Sequence, residues 1–437
     1  MIAASMDGRQ RWLDGLRGIA AVIVTWFHFT VGEMHIPYRG FTDTPAEENR
    51  HLIQLPPFRT VFAGTAMVTL FFVISGYSVP LAIIRLRGQS NNAECYRKLT
   101  SSALRRVFRL YLPVLVVCVI SQVLFYAGAY SSWRFPETEG CPGALPWSSI
   151  WPHLKCLSLT IMSALGFVPL GGTQGLNSHL WTMLVELQGS FALYLTILAL
   201  LSATSRARLT IIAVLTFLLF WFGFHESFCF FSGLLFAELD LIAHTSSEAF
   251  IVPVTQKPSS RSSTPFIAAK LTLFSIGIHL LSMPLRVDHY EDYWYSSELT
   301  ILPFWNYPVK RINSWYSVGA VLIVFAIRGL PVLKRALESP IPQFAGEISF
   351  SLYLIHQTFI RILRNPILEM VCRTLWGKGF AATRDDGYGS HVYYLSWVVA
   401  TGVVGSLLVV TAALMTRTVD RRSIALAYRL EERLSGR

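Results

Sequence analysis

Residues 11–33 read RWLDGLRGIAAVIVTWFHFTVGE, an apolar stretch that carries an arginine, Arg17, and a histidine, His28, eleven residues apart. An α-helix has 3.6 residues per turn, so eleven residues make almost three turns and bring both side chains onto one face. The rise between them is about 16 Å, roughly half the hydrocarbon thickness of a bilayer. Ionisable groups inside a membrane helix are costly and usually face a cavity that serves a function. The spacing therefore predicts a membrane helix with an anion anchor near one surface and a proton acceptor deeper in.

The composition of the whole chain also indicates a membrane protein. Of its 437 residues, 53% are hydrophobic and 14% are charged, whereas soluble domains carry about 25% charged residues. The 12 tryptophans are typical of chains whose rings lie at both bilayer interfaces. The net charge of +11 lies in short connections between apolar runs, which favours membrane topology over nucleic-acid binding. No cleavable signal peptide is expected, because the first apolar run is the one that contains Arg17 and His28.

Ten apolar runs are long enough, or nearly long enough, to cross a bilayer. They cover about residues 12–32, 60–84, 107–130, 179–201, 208–224, 226–243, 267–284, 314–330, 347–363 and 392–416. A shorter run, about residues 155–170, is broken by Gly166 and Pro169 and is interpreted as a re-entrant or interfacial piece. The expected fold class is therefore all-α, a polytopic membrane helix bundle of about ten transmembrane helices.

The basic residues fall on one side of the membrane when ten spans are counted, so both termini are expected to be cytosolic. They lie at the amino end, after the second, fourth, sixth and eighth runs, and in the tail. A single domain is expected over residues 1–437, with a cytosolic linker at about 245–265 and a cytosolic tail at about 417–437. Three cysteines fall on the opposite side, where a disulfide can form, and Cys141–Cys156 is the favoured pair.

Two arginines, Arg106 and Arg109, lie three residues apart and share a helix face at the start of the third run. Positive residues that simply flank a span account well for Arg105, but Arg109 lies a turn inside the apolar run. Paired guanidinium groups suit phosphate oxygens. The pair therefore has two interpretations: it binds a ligand, or it only flanks the membrane span.

His28 and Glu186 are the candidates for proton transfer. A histidine on an apolar helix is often only a hydrogen-bonded core residue, but the register with Arg17 and titration near neutrality fit a general base. Glu186 lies in the middle of the fourth run at much the same depth as His28, so its carboxylate would orient the imidazole. The alternative for Glu186 is a hydrogen bond that only packs helices together.

Two further motifs place small or polar residues within apolar runs. FFVISGY, residues 71–77, contains Ser75 and ends at Tyr77, and close helix packing is the default explanation for small residues there. ISFSLYLIHQ, residues 348–357, contains His356, which is a candidate for a second polar contact in the membrane.

Together these strings resemble the acyltransferase 3 family of integral membrane acyltransferases. The matching residues are LDGLRGIAAVIVTWFHF, FFVISGY, RVFR, LWTMLVE and SFSLYLIHQ, in that order along the chain. They fall between residues 12 and 357, so the resemblance covers nearly the whole chain although no single motif decides it. The resemblance implies a ten-span protein that moves an acyl group, commonly acetyl, from acyl-CoA to a hydroxyl of a glycan or a small metabolite.

Residue roles follow from the same resemblance. It implies that His28 is the catalytic base, that Arg17 lies on the same helix as a substrate-binding residue, and that Arg106 and Arg109 bind the CoA phosphates or help to hold the donor. Glu186, a candidate for catalysis, and His356, a candidate for substrate binding, match less tightly. The other candidates for substrate binding are Ser75, Tyr77 and Trp181.

The resemblance also sets the expected partners. Acyl-CoA is a co-substrate, no bound cofactor or metal is expected, and the other partners are the hydroxyl acceptor and the lipid bilayer. The chain ends about twenty residues after the last run, without the esterase-like extension of some bacterial members. This favours a small or lipophilic acceptor, such as a secondary metabolite.

A transporter is the alternative from a different class. In a ten-span proton-coupled organic-anion transporter, the arginines would bind substrate, and His28 and Glu186 would relay protons. Transporters often show a two-fold repeat in hydropathy, and this sequence shows none.

Overall fold

The computed structural model describes residues 10–88, 92–130, 141, 143–167, 176–248, 264–284, 302, 304–305, 308–387 and 390–434. These residues form α-helices joined by turns, short 3-10 helices and one π-helical segment at Thr416–Asp420, with no strand among them. The expected all-α class is confirmed.

Fourteen α-helices make up the described part of the chain. They are α1 (Arg11–Thr30), α2 (Gly64–Gly88), α3 (Asn92–Tyr126), α4 (Ile150–Leu165), α5 (Trp181–Ala199), α6 (Ser205–Trp221), α7 (His225–Glu248), α8 (Thr264–Leu281), α9 (Pro308–Arg328), α10 (Pro331–Leu337), α11 (Pro340–Trp376), α12 (Phe380–Gly387), α13 (His391–Met415) and α14 (Arg421–Leu434). Each of the ten predicted apolar runs falls on one of these helices.

The lengths and composition of these helices are those of an integral membrane protein. Among the described residues, the spans that begin at Gly64, Asn92, Ser178 and His391 are long and apolar enough to cross a bilayer. Helices α9 and α10 count as a fifth when they are taken as one span broken by a bend of 102°. The count of ten spans stays a prediction.

The shorter run predicted at about residues 155–170 forms α4, which begins earlier than expected, at Ile150. The helix ends where Gly166 adopts a φ of 81°, a left-handed conformation that glycine reaches without steric cost.

The chain groups into two compact units. Unit 1 comprises the residues up to Ala103 together with Gln188–Glu347, and unit 2 comprises Leu104–Leu187 with Ile348–Arg437. Helices α3, α5 and α11 contribute residues to both. Whether the chain is one domain, as expected, stays a prediction; most of the expected linker at 245–265 lies outside the described residues.

In unit 1, α2 packs closely along α7 because both helices carry glycine at the crossing. A Cβ atom on Gly76 would lie 2.2 Å from the carbonyl oxygen of Phe230, and one on Gly233 would lie 2.4 Å from that of Val73. No side chain fits at such distances, so the glycine of FFVISGY serves the close helix packing that the sequence predicts for small residues.

In unit 2, a small core forms around Phe125, Tyr130 and Leu176. Beside it a disulfide joins Cys141 to Cys156 with their Cα atoms 5.1 Å apart. The predicted cysteine pair is therefore confirmed. The remaining four cysteines of the chain are reduced and buried.

Candidate functional site

Helix α1 is continuous over both Arg17 and His28, so the two side chains lie on one face of one helix as their spacing predicts. Both are half-buried. The Nη1 atom of Arg17 lies 3.1 Å from Oδ1 of Asp14, and its Nη2 atom lies 3.4 Å from the Ser78 hydroxyl of α2. One carboxylate and one hydroxyl therefore fix the guanidinium of the LDGLRG motif.

The glycine in LRG explains how Arg17 is placed. A Cβ atom on Gly18 would lie 2.3 Å from the backbone nitrogen of Gly346 at the start of α11, and one on Gly346 would lie 2.3 Å from the carbonyl of Asp14. The two helices approach at backbone distance only because neither residue has a side chain. Arg17 directly precedes Gly18, and its guanidinium reaches Ser78 of α2.

Tyr77, the last residue of FFVISGY, is buried and donates a hydrogen bond from its hydroxyl to Oδ2 of Asp240 on α7. Arg328, at the end of α9, makes an ion pair with the same carboxylate, and its Nε lies 3.2 Å from Oδ2. Ser75 is also buried, two residues earlier in the motif. The motif therefore joins α2 to a charged group that lies on two other helices.

Two lysines lie within electrostatic range of the same carboxylate. Lys270 of α8 and Lys334 of α10 both interact electrostatically with Asp240 and with Arg328. We call Tyr77, Asp240, Lys270, Arg328 and Lys334 the Asp240 cluster. Of these residues, Tyr77 alone was predicted from its motif. A carboxylate in the apolar run GLLFAELDLIA was the signal that could have found the cluster.

Glu238, two residues before Asp240, makes a second and more deeply buried ion pair. Its carboxylate accepts from Arg87 of α2, with 3% of the arginine side chain and 1% of the glutamate side chain exposed. The Nε atom of Arg208 on α6 lies 3.9 Å from the other carboxylate oxygen. This pair ties α7 to α2 and α6.

In unit 2, each of the three arginines at the start of the third run faces a carboxylate. Arg106 makes an ion pair of 2.7 Å with Glu186 of α5. Arg105 lies 2.9 Å from Glu431 of α14, and its guanidinium stands 4.4 Å from the centre of the Tyr428 ring. Arg109 interacts electrostatically with Asp420, just before α14. We call Arg105, Arg106 and Arg109 the arginine segment.

Two buried histidines form a pair at the start of α5, the helix that carries Glu186. The rings of His179 and His356 stand 4.6 Å apart between centres. The Nε2 atom of His179 lies 3.2 Å from the Leu354 carbonyl, and Nδ1 of His356 lies 2.6 Å from the Tyr353 carbonyl. Because a carbonyl can only accept, each of these nitrogens carries the proton, and in a neutral ring the other nitrogen is an acceptor.

Tyr353 fixes this histidine pair. Its hydroxyl donates to the His179 carbonyl over 2.9 Å and lies 2.8 Å from the Thr182 hydroxyl. His356 was predicted from its motif, whereas His179, directly before LWTMLVE, was missed. Its place beside a matched motif was the available signal. Trp181, in the same motif, is 36% exposed.

The predicted residues therefore divide between the two units. Arg17, His28, Ser75 and Tyr77 lie in unit 1, and the remaining candidates lie in unit 2. Glu186 has Arg106 as its ion-pair partner, so its predicted role in orienting His28 stays a prediction. Within the described residues, no group of three or more histidine, cysteine, aspartate or glutamate side chains could hold a metal ion.

Comparison with known proteins adds an independent finding. Residues 10–416 match the family model Acyl_transf_3, described as an acyltransferase domain. The chain is 27% identical over 470 residues to acyltransferase R4 of Phoma sp. (strain ATCC 20986 / MF5453), covering 96% of each chain. It is 27% identical over 456 residues to the O-acetyltransferase PaAT-1 of Phomopsis amygdali, covering 97% of this chain and 84% of that one. No solved structure matches.

Proposed function

This chain belongs to the acyltransferase 3 family, and from that membership we propose that it moves an acetyl group from acetyl-CoA to a hydroxyl of a small metabolite or a glycan. The chain is an acyltransferase and an integral membrane protein. The finer statement on donor and acceptor draws support from the relative in Phomopsis amygdali, whose name states O-acetyl transfer.

The observation that carries the proposal is the pairing of Arg17 and His28 on one continuous helix inside the matched region. His28 acts as general base, which in enzymes contributes about 10²–10⁴ in rate. Arg17, fixed by Asp14 and Ser78, holds an anionic or carbonyl group of substrate on the same face.

The chemistry proposed is direct transfer. An imidazole nitrogen of His28 takes the proton of the acceptor hydroxyl while the hydroxyl oxygen attacks the thioester carbonyl. The tetrahedral intermediate collapses with breakage of the C–S bond, which leaves the new ester. The departing CoA thiolate takes the proton back from the imidazolium, so atoms and charge balance without an acyl-enzyme.

The other candidates receive roles in the same scheme. Glu186 supports proton transfer, while Ser75, Tyr77, Trp181 and His356 contribute to substrate binding. Binding of the CoA phosphates by Arg106 and Arg109 stays a prediction. A phosphate bound there would compete with Glu186 for Arg106 and with Asp420 for Arg109.

We also propose ten membrane spans with both termini in the cytosol. The coincidence of every predicted apolar run with a helix supports the count, and the one-sided distribution of basic connections supports the orientation. Fluorescent tags on each terminus, quenched by a membrane-impermeant reagent in sealed vesicles of known orientation, test it. Protection of the two tags on opposite sides would contradict it.

The test of the function uses purified protein in detergent, since transport requires a sealed membrane whereas acyl transfer does not. Wild-type protein should release CoA from acetyl-CoA in the presence of an extract that contains the acceptor, and His28→Ala should lower that rate by about 10²–10⁴. His391→Ala, at the exposed start of α13, is the matched control and should keep the rate. Full activity of His28→Ala would overturn the assignment. Substrate uptake by wild-type protein in sealed proteoliposomes, without release of CoA in detergent, would favour the transporter.

A further inference from the structure

The Asp240 cluster carries more positive than negative charge. In the part of the chain that the structure describes, Lys270, Arg328 and Lys334 share Asp240. Glu338 interacts with Lys334 as a second carboxylate. Among the described residues, these three cations have two carboxylates as electrostatic partners, and Arg328 makes a direct ion pair with one of them, Asp240.

The direct contacts of the two lysines are with neutral groups. Lys270 is 7% exposed, and its Nζ donates to the Phe325 carbonyl over 3.2 Å and stands 3.1 Å from the centre of the Phe325 ring. Nζ of Lys334 stands 5.6 Å from the centre of the Trp12 ring. Carbonyl and aromatic contacts orient an ammonium without cancelling its charge, so the field of both lysines remains.

The three cations come from the ends of different helices. Arg328 ends α9, Lys334 lies on the α10 segment that turns away by 102°, and Lys270 lies near the start of α8. Like charges held together in this way repel one another, and the usual compensation is an anion that all of them contact. A guanidinium and two ammonium groups are the donors that proteins use for phosphate oxygens.

We propose that the Asp240 cluster binds a phosphate ester. The donors are the ammonium groups of Lys270 and Lys334 and the guanidinium N–H groups of Arg328 that do not contact Asp240. Asp240, fixed by the Tyr77 hydroxyl, holds Arg328 in place while the site is empty of ligand. The phosphate belongs either to the nucleotide end of acyl-CoA or to a lipid headgroup. Its assignment to acyl-CoA rests on the proposed function, whereas phosphate binding itself does not.

The first arm of the test measures binding of adenosine 3′,5′-bisphosphate, a fragment of CoA without the thioester, to purified full-length protein by calorimetry. Lys334→Gln should weaken binding about tenfold, the loss typical of one charge-assisted contact, and Lys334→Arg should largely keep it. Lys310→Gln is the matched control, because Lys310 lies on the same helix as Arg328 at its opposite end. Binding should also weaken as salt is raised.

The second arm places the same proteins in nanodiscs of phosphatidylcholine with or without phosphatidic acid. If the phosphate comes from lipid, phosphatidic acid should raise the unfolding temperature of wild type and of Lys310→Gln but not of Lys334→Gln. Lys270→Gln provides a second variant in case Lys334→Gln folds poorly. Nucleotide binding and lipid stabilisation that are both unchanged in the two variants would overturn the proposal. Neither arm requires acyl transfer, so a failure here is distinct from a failure of His28 in the activity assay.

Discussion

The arginine segment and the Asp240 cluster are both groups of cations at helix ends, but they differ in how the charge is balanced. In the arginine segment, Arg105 and Arg106 each make an ion pair with a different carboxylate, and Arg109 interacts electrostatically with Asp420. In the Asp240 cluster, three cations share Asp240, and among the described residues the direct contacts of Lys270 and Lys334 are with a carbonyl and aromatic rings. The first arrangement is typical of a framework that joins helices, and the second is typical of a place for an anion.

This difference concerns what a sequence motif can show about the availability of a cation. RVFR looks like a phosphate fork because two guanidinium groups share a face, whereas Lys270, Arg328 and Lys334 are scattered over 65 residues and show no motif. The availability of a cation depends on the carboxylates that reach it, and these come from distant helices.

The largest effect is expected at Glu238, which has the most deeply buried carboxylate of the ion pairs described above. Glu238→Gln leaves Arg87 buried without its counterion, so the free energy of unfolding should fall by about 3–5 kcal/mol. Unfolding in detergent, followed by denaturant titration, measures this. Glu432→Gln on the exposed face of α14 is the control and should change little; an equal loss in both would mean that the buried pair does not belong to the framework.

A smaller effect is expected at the pair of Arg106 and Glu186, whose side chains are 17% and 12% exposed. Arg106→Gln and Glu186→Gln should each destabilise the protein, and the double variant should lose less than the sum. A double-mutant cycle should give a coupling of about 0.5–3 kcal/mol. If the losses simply add, the arginine is not matched to this carboxylate and its predicted role in phosphate binding gains weight.

Removing a cation from the Asp240 cluster should not destabilise the protein, in contrast to the substitutions above. Lys270→Met removes a buried ammonium that faces Arg328 and replaces it with a flexible apolar chain of similar length. Without ligand, the free energy of unfolding of Lys270→Met should stay the same or rise by up to about 1 kcal/mol. That of Lys270→Arg, which keeps the positive charge, should not rise. A loss of several kcal/mol in Lys270→Met would show that a carboxylate matches this lysine after all.

The smallest effect is expected at an exposed matched pair, Glu369 and Arg373, with 40% and 70% of the side chains exposed. The backbone N–H of Phe380 and the Arg373 guanidinium hold the pKa of Glu369 below its ordinary value of 4.5. The stabilisation is therefore present above that value and is lost as the pH falls through the lowered pKa. Glu369→Gln should lower the free energy of unfolding by less than about 1 kcal/mol at pH 7. The difference in unfolding temperature between wild type and this variant should disappear in acid; a difference that grows in acid would contradict the predicted pH dependence.

Much of the fold could be predicted because bilayer burial imposes long apolar runs. Each of the ten runs falls on a helix, and the break at α4 falls at Gly166 as expected. The helix ends were less predictable. Helix α3 begins at Asn92, well inside a polar connection, since a helix continues beyond the bilayer wherever the local residues permit it.

Less of the candidate site could be predicted. Hydropathy shows that Glu186 is out of place in an apolar run, but not that Arg106, 80 residues earlier, reaches it. The shared face of Arg17 and His28 follows from helix geometry alone and is present. Pairings between helices depend on packing distances that glycines such as Gly18 and Gly346 set. The hydrophobic periodicity of a single helix does not predict these distances.

The disulfide between Cys141 and Cys156 restricts the hosts in which the protein can be produced. Such bonds persist in oxidising compartments, so a reducing cell-free extract would yield six thiols, whereas the intact protein holds four. The lost crosslink closes a loop of 15 residues, which in chain-entropy terms is worth about 3 kcal/mol. A thiol titration of denatured, unreduced protein is therefore a test of sample quality that should precede any assay of activity.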